Sequence, residues 1–576
     1  MSVITDTFTR WSLEDSLTDE LKKDLESITG NEKEIEDRFY QYLSFGTGGM
    51  RGLLGAGTNR MNVYTMRRVA EGLGLHIKAA GEDAMRRGVV IAYDTRHYSR
   101  EFALETAKTV GKYGIRVFLF KESRPTPELS FAVRHLNAYA GVVITASHNP
   151  AQYNGFKVYG EDGGQLPPDA ADGIVRHMND IEDLFLIQTA DKEELLRSEE
   201  LTYILEEIDD AYQECLLTLR EDPDAIEAYG QDMSIVYTPL HGSGLVPVVE
   251  GLRNFGFSHV NVVSEQAVQD SSFPTVAYPN PEEREAFELA MKLGKEKDAD
   301  LLLATDPDAD RLGVAVKTKD GDYELLTGNQ LGALLLHYLL MQKKRNGTLP
   351  ENGVAMKTIV TSEFGRAAAA KFGIPTIDTL TGFKFISEKI EEFEASGECE
   401  FLFGYEESYG YLIGTFARDK DAVQAAIMTA EMAAYYKSIG KSLYEALMDL
   451  YDELGHYREA LESITLTGKD GQEQIAEIMK EFRNDPPSSI AGIAVTVIED
   501  YKAGTMRLVD GASENLTLPK ADVVKYILED GSWVCIRPSG TEPKCKIYFG
   551  VRKDSADEAE VALNALVEDI MDRVRV

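Results

Sequence analysis

The sequence predicts an α/β protein of four domains: three structurally repeated mixed-sheet α/β blocks and a smaller C-terminal α+β domain. Three observations carry this prediction. Short apolar runs alternate with helical stretches, the pattern of buried strands covered by helices. That pattern recurs three times, each time closing on an apolar run that leads into a polar loop: Ile144-Thr145-Ala146-Ser147, Leu303-Ala304-Thr305-Asp306 and Phe401-Leu402-Phe403-Gly404. Finally, 576 residues with 43% hydrophobic content can bury several cores but are too many for one.

Taken in order, the polar stretch rich in Glu, Asp and Lys through about residue 40 predicts solvent-facing helices without chemistry. The first block then offers strands at Val89–Tyr93, Ile115–Phe120 and Gly141–Ile144, and the second at Ile235–Tyr237, Val260–Val263 and Leu301–Thr305. The third offers Thr358–Thr361 and Phe401–Phe403. Beyond residue 455 come Ile493–Ile498, Trp533–Ile536 and Lys546–Phe549, followed by an amphipathic helix from about Ser555. The expected domains are 1–208, 209–324, 325–455 and 456–576. Ligands of open α/β sheets bind beyond the carboxyl ends of strands, so each repeated block presents its polar loop from an equivalent place.

Composition removes several classes of function. A formal charge of −37 with no long basic block repels nucleic acid and anionic membrane surfaces. Four cysteines without a C-x-x-C pair give no support to a structural zinc or a disulfide framework. The start of the chain has no basic segment followed by an apolar core, and no stretch approaches 18 uncharged apolar residues. A cytoplasmic location is expected.

Four motifs make chemical sense together. Asp306, Asp308 and Asp310 follow an apolar run at i, i+2 and i+4, which turns three carboxylates to one side unless a cation sits among them. All-oxygen ligands select a hard ion, Mg2+ first. The positions an EF-hand reserves for Gly and Glu are Arg311 and Lys317, so that alternative fails. Ser147 in Thr145-Ala146-Ser147-His148-Asn149-Pro150 lacks a G-x-S-x-G elbow, and His148, its neighbour on an extended chain, is expected to face away from it. A serine sharing the metal suits a phosphoryl carrier better than a hydrolase nucleophile. Lys157 lies near enough in sequence to reach the pocket and exchange a proton with a sugar hydroxyl, provided that nearby cations lower its pKa. Arg537, Ser539, Gly540 and Thr541 form a turn able to clamp a phosphate, and Glu406 and Ser408 suit sugar hydroxyls. Neither Gly46–Arg51 nor Gly440-Lys441-Ser442 meets a nucleotide-binding pattern.

In this order and spacing the motifs resemble the α-D-phosphohexomutase superfamily over essentially the whole chain. Thr381-Gly382-Phe383-Lys384, Glu406-Glu407-Ser408 and the length look like its α-phosphoglucomutases, of the branch that also contains phosphopentomutases. The resemblance implies four domains around a central cleft, an active-site phosphoserine at Ser147, and Mg2+ held by Ser147, Asp306, Asp308 and Asp310. It implies catalytic or supporting roles for Arg51, His148 and Lys157, and substrate contacts from Arg311, Thr381, Lys384, Glu406, Ser408, Arg537, Ser539, Gly540 and Thr541. The implied reaction interconverts glucose 1-phosphate and glucose 6-phosphate through a glucose 1,6-bisphosphate that also serves as activator, in a monomer or weak homo-oligomer. Tyr405 and Tyr409 interrupt the sugar loop, so sugar choice stays open among glucose, mannose and pentose phosphates, whereas Gly48, where many relatives carry Ser, leaves Arg51 in place and is expected to change little. A metal-dependent sugar phosphatase and a sugar-phosphate binding protein are the alternatives of a different class.

Overall fold

The computed structural model describes residues 3–574 apart from Thr47, Thr467, 509–510 and 540–543. It divides into two compact units: Met1–Leu326 with Ser387–Glu398 and Ser408–Ser442, and Thr327–Ile386 with Cys399–Glu407 and Leu443–Val576.

The first unit holds two sheets. In the larger, the strand order is Phe45–Gly46, Gly49–Leu53, Tyr153–Tyr159, Ala140–Ile144, Val89–Tyr93, Val117–Phe120, Leu201–Ile204. The last four run parallel, three of them at the expected apolar runs and Leu201–Ile204 at a site the sequence does not mark, whereas Tyr153–Tyr159 is antiparallel to Ala140–Ile144, which makes the sheet mixed. The second sheet, in the order Tyr323–Leu325, Leu312–Lys317, Leu301–Thr305, Ser234–Thr238, His259–Val262, repeats this plan. Leu301–Thr305 is parallel to Ser234–Thr238 and antiparallel to Leu312–Lys317. In both sheets a fully buried strand therefore delivers a polar loop to one sheet end and the chain returns as an antiparallel neighbour. The acidic N-terminal stretch forms helices Val3–Ser12, Asp19–Ile28 and Glu32–Phe39, whose Trp11, Leu25, Ile28 and Phe39 pack with Tyr64 and Leu184.

The second unit contains the parallel strands Thr376–Thr379, Gly353–Thr358 and Glu400–Glu406. The strand expected at Thr358–Thr361 ends where it was expected to begin. Lys357 masks the apolar run Gly353–Met356 in the sequence, yet it is fully buried because Glu363 and Asp378 pair with its ammonium at 2.9 Å each. The expected strand at Phe401–Phe403 likewise runs on through Tyr405 to Glu406. The C-terminal residues form an antiparallel sheet ordered His456–Thr465, Lys544–Lys553, Trp533–Pro538, Val524–Leu528, Ile493–Asp500, Thr505–Leu508, Ser513–Asn515, with helix Ala556–Val574 against it. A buried seam of Ile359, Val360 and Leu380 with Tyr501, Val523, Trp533 and Tyr548 joins this sheet to the parallel strands. Across it, Lys525 Nζ donates to the Ile359 carbonyl at 2.8 Å while lying 4.8 Å from the Trp533 ring centroid.

Glu459 accepts a hydrogen bond from Ser362 within this unit. Burial pushes its carboxyl up to about 7, hydrogen bonds from Ser362 and Asn329 offsetting part of the effect. The folded state thus keeps the proton to higher pH than the unfolded chain, whose value is near 4.5; the stability this gives is present below 4.5 and lost as pH rises through about 7. Glu459→Gln is expected to raise the thermal midpoint at pH 8, with the gain shrinking as pH is lowered toward 5. Equal shifts at both pH values would contradict this.

Candidate active site

Ala140–Ile144 is buried along its whole length, and the chain leaves it through Thr145, Ala146 and Ser147. The return strand Tyr153–Tyr159 passes so close that a Cβ on Gly155 would lie 2.5 Å from the Thr145 carbonyl and 2.8 Å from that of Met50. Thr145 Oγ1 donates to Asp94 Oδ2 at 2.7 Å and accepts from Ser147 N at 2.8 Å. The buried Arg96 guanidinium donates to the carbonyls of Ser147, Asn149, Pro150 (2.8 Å) and Tyr153 (3.2 Å), so one planar fork gathers the loop.

Ser147 itself has φ +51°, a left-handed conformation uncommon for a residue of its type. This overturns the expectation that His148 faces away: the turn breaks strand alternation, and His148 Nδ1 lies 3.1 Å from Ser147 Oγ. Ser147 Oγ also donates to Asp306 Oδ2 at 2.7 Å, so the one seryl proton faces Asp306 and the imidazole Nδ1 is left as donor to Oγ. Burial, reinforced by Arg311 and Arg51, holds His148 well below the ordinary imidazole value, and it is neutral at neutral pH.

The acidic loop leaves the buried strand Leu301–Thr305 in the same way. Asp306 and Asp308 are 0% exposed and Asp310 2%. Asp306 Oδ1 accepts from the backbone N–H of Asp310 and Arg311 at 3.1 Å each, with Ala309 in the left-handed region at φ +46°. Asp308 Oδ2 accepts from Lys157 Nζ at 3.0 Å and Thr126 Oγ1 at 2.9 Å; Asp310 Oδ2 meets Lys157 at 3.3 Å and Lys420 at 3.2 Å. Oδ1 of Asp308 and of Asp310 is buried without a hydrogen-bond partner. One oxygen from each of the three acids lies within 4.8 Å of the others. A hard divalent cation answers both features: it accepts oxygen ligands only and offsets charge that burial and mutual repulsion make costly. Those two causes push the Asp306 carboxyl well above the carboxylate range. Asp310 is held well below it, because Lys420, Lys157 and Arg311 outweigh its burial.

Lys157 departs from expectation. Burial alone favours its neutral amine, but Asp308 and Asp310 outweigh burial and raise its pKa above the ordinary lysine value. As it stands, Lys157 is an ammonium donor and not a base. Arg51 reaches the same loop through Asn149, Nη1 to Oδ1 at 2.9 Å, and Arg311 is ion-paired with Glu282.

Nothing in the sequence marks Lys420, because Arg418-Asp419-Lys420-Asp421 reads as an ordinary charged turn before the apolar helix Ala422–Ser438. Its stem packs so tightly on Gly410 that a Cβ there would sit 2.1 Å from Lys420 Cδ.

The remaining candidates fall in two groups. In the second unit, Glu406 Oε1 accepts from Gly382 N at 2.9 Å, which brings Glu406 onto Thr381-Gly382-Phe383-Lys384. Thr381 Oγ1 is buried without a partner, and Lys384 Nζ lies 5.2 Å from the Phe385 ring centroid. Arg537 is the penultimate residue of the strand Trp533–Pro538, and Ser539 N donates to the Lys544 carbonyl at 2.7 Å, closing the expected hairpin. Gly540 and Thr541 lie outside the described residues. Ser408 belongs to the first unit, half-buried, beside a left-handed Tyr409 whose carbonyl accepts from Leu312 N at 3.0 Å.

Comparison with known proteins matches the four domains of one family in order: phosphoglucomutase/phosphomannomutase α/β/α domain I at residues 42–184, domain II at 210–321, domain III at 327–454 and the C-terminal domain at 466–566. A phosphoglucomutase of Staphylococcus saprophyticus is 38% identical over 545 residues, covering 94% of this chain and 96% of the relative. One of Staphylococcus aureus is 36% identical over 539 residues, covering 93% and 94%. The crystal structure of parafusin, a phosphoglucomutase from Paramecium, shares the fold with a TM-score of 0.68 at 20% identity, over 92% of this chain and 94% of that one. Among the described residues no helix is long and apolar enough to cross a membrane.

Proposed function

Because the chain belongs to the phosphoglucomutase/phosphomannomutase family through all four of its domains, we propose that it is a phosphoglucomutase, an isomerase that interconverts glucose 1-phosphate and glucose 6-phosphate. The observation that carries the mechanism is Ser147, its hydroxyl 2.7 Å from Asp306 at the edge of a buried cluster of three carboxylates.

In this reading Ser147 carries a phosphoryl group between turnovers. The P–O bond to Ser147 breaks as a bond forms to the 6-hydroxyl oxygen of glucose 1-phosphate, and the proton that this hydroxyl gives up replaces the phosphoryl group on Ser147 Oγ. The bisphosphate turns over in the site, its 1-phosphoryl group returns to Ser147, and glucose 6-phosphate leaves. At Ser147 Oγ the seryl proton is held toward Asp306 Oδ2, and the neutral His148 ring donates to the same oxygen through Nδ1. Asp306, Asp308 and Asp310, with an oxygen on Ser147, would hold Mg2+, which when bound offsets the charge of the transferring group. Lys157 and Lys420 add fixed positive charge at the same acids, and Arg51 braces the loop through Asn149. We assign Glu406, Ser408, Thr381 and Lys384 to the sugar, and Arg311, Arg537, Ser539, Gly540 and Thr541 to its phosphates. A cytoplasmic enzyme working on small sugar phosphates, started by glucose 1,6-bisphosphate, completes the reading.

The test is a coupled assay with Mg2+ and catalytic glucose 1,6-bisphosphate, comparing glucose, mannose and ribose 1-phosphates and measuring inorganic phosphate alongside. Preferential formation of glucose 6-phosphate without phosphate release is expected. Preference for another sugar would move the chain to a sibling activity, and stoichiometric phosphate release would make it a phosphatase.

A further inference from the structure

We infer that Thr126 is a positioning residue of the acidic loop, fixing which oxygen of Asp308 is presented to a metal ion; the inference rests on the reading of Asp306, Asp308 and Asp310 as a metal site.

Thr126 opens the helix Thr126–His135 and is 0% exposed. The first turn of a helix has backbone N–H groups without intrahelical partners. Here Pro125 and Pro127 flank Thr126, so across these three residues Thr126 has the single N–H. That N–H donates to the Asp308 carbonyl at 2.9 Å, and Thr126 Oγ1 donates to Asp308 Oδ2, also at 2.9 Å. Two donors of one residue thus hold both the backbone and the side chain of Asp308. With Oδ2 engaged by Thr126 and Lys157, Oδ1 is the oxygen left buried without a partner. The Thr126 hydroxyl is a single rotatable bond from a backbone that is itself hydrogen-bonded to Asp308, so it holds this orientation in a way the long Lys157 side chain does not. On the other side of the loop, Ser243 N and Oγ both donate to the Pro307 carbonyl at 2.8 Å, so the residue before Asp308 is fixed as well. Groups that orient a metal ligand by hydrogen bonding typically change affinity about 10–100-fold when removed.

The experiment measures Mn2+ binding by titration calorimetry to the wild type, Thr126→Val, Thr126→Ser and, as a control lacking a ligand, Asp308→Asn. Valine keeps the shape and removes the hydroxyl; serine keeps the hydroxyl. Thr126→Val is expected to bind Mn2+ about 10–100-fold more weakly with an unchanged thermal midpoint in EDTA, and Thr126→Ser to bind as the wild type. Unchanged affinity in Thr126→Val overturns the inference while leaving the metal site intact. A tenfold loss in Thr126→Ser overturns it too, and keeps it testable if the valine variant fails to fold. No Mn2+ binding by the wild type overturns the metal reading and this inference with it.

Discussion

Ser147→Ala is expected to lose mutase turnover entirely while folding normally. Removing a nucleophile that forms a covalent intermediate costs on the order of 10^6-fold in other enzymes, and no neighbouring group can take over the carrier role. His148 is the nearest candidate, but its ring faces Oγ with the protonated Nδ1, which has no lone pair with which to attack phosphorus. The alanine variant loses only the hydroxyl, because the hydrogen bonds shaping the loop run through Thr145, Arg96 and backbone atoms. Wild-type-like steady-state turnover of this variant would remove Ser147 from the mechanism.

Asp306→Asn is expected to act with opposite signs on activity and stability. Its carboxylate is the one paired with Ser147, and it lies buried beside two others that raise its pKa. Without metal, the neutral amide relieves repulsion, so the variant should unfold at a higher temperature than the wild type in EDTA. With Mg2+ the order reverses: the wild type gains stability by binding and the variant does not. Turnover should fall by roughly 10^3-fold or more, the equivalent of about 4 kcal/mol of transition-state charge stabilisation. A variant that is less stable in EDTA yet equally active would show that the three acids are a structural ion-pair cluster around Lys157 and Lys420.

Much of this site is legible in the sequence because its chemistry is local. The strand ends at Ile144 and Thr305, the i, i+2, i+4 acids and Ser147 can be read from one segment each. What the sequence conceals is every partner that arrives through the fold. Thr126, Arg96 and Lys420 are 182, 51 and 110 residues from Asp308, Ser147 and Asp310, and nothing in their own segments marks them. Two expectations fail for related reasons. Strand alternation places His148 away from Ser147 only if the backbone stays extended, and φ +51° shows that it does not. A lowered Lys157 pKa requires cations beside it, whereas its nearest charges are the carboxylates of Asp308 and Asp310. In the third block, Lys357 hides a buried strand, because a charge in an apolar run reads as exposure until its partners Glu363 and Asp378 are known.

The most direct measurement is to incubate the protein with glucose 1,6-bisphosphate, remove excess ligand, and map phosphorylation by peptide mass spectrometry before and after adding glucose 1-phosphate. The account predicts phosphate on Ser147 that is discharged to the sugar on addition of glucose 1-phosphate, with glucose 1,6-bisphosphate appearing in proportion. A protein that turns over with no phosphate on Ser147, or whose phosphoserine is untouched by glucose 1-phosphate, would contradict it.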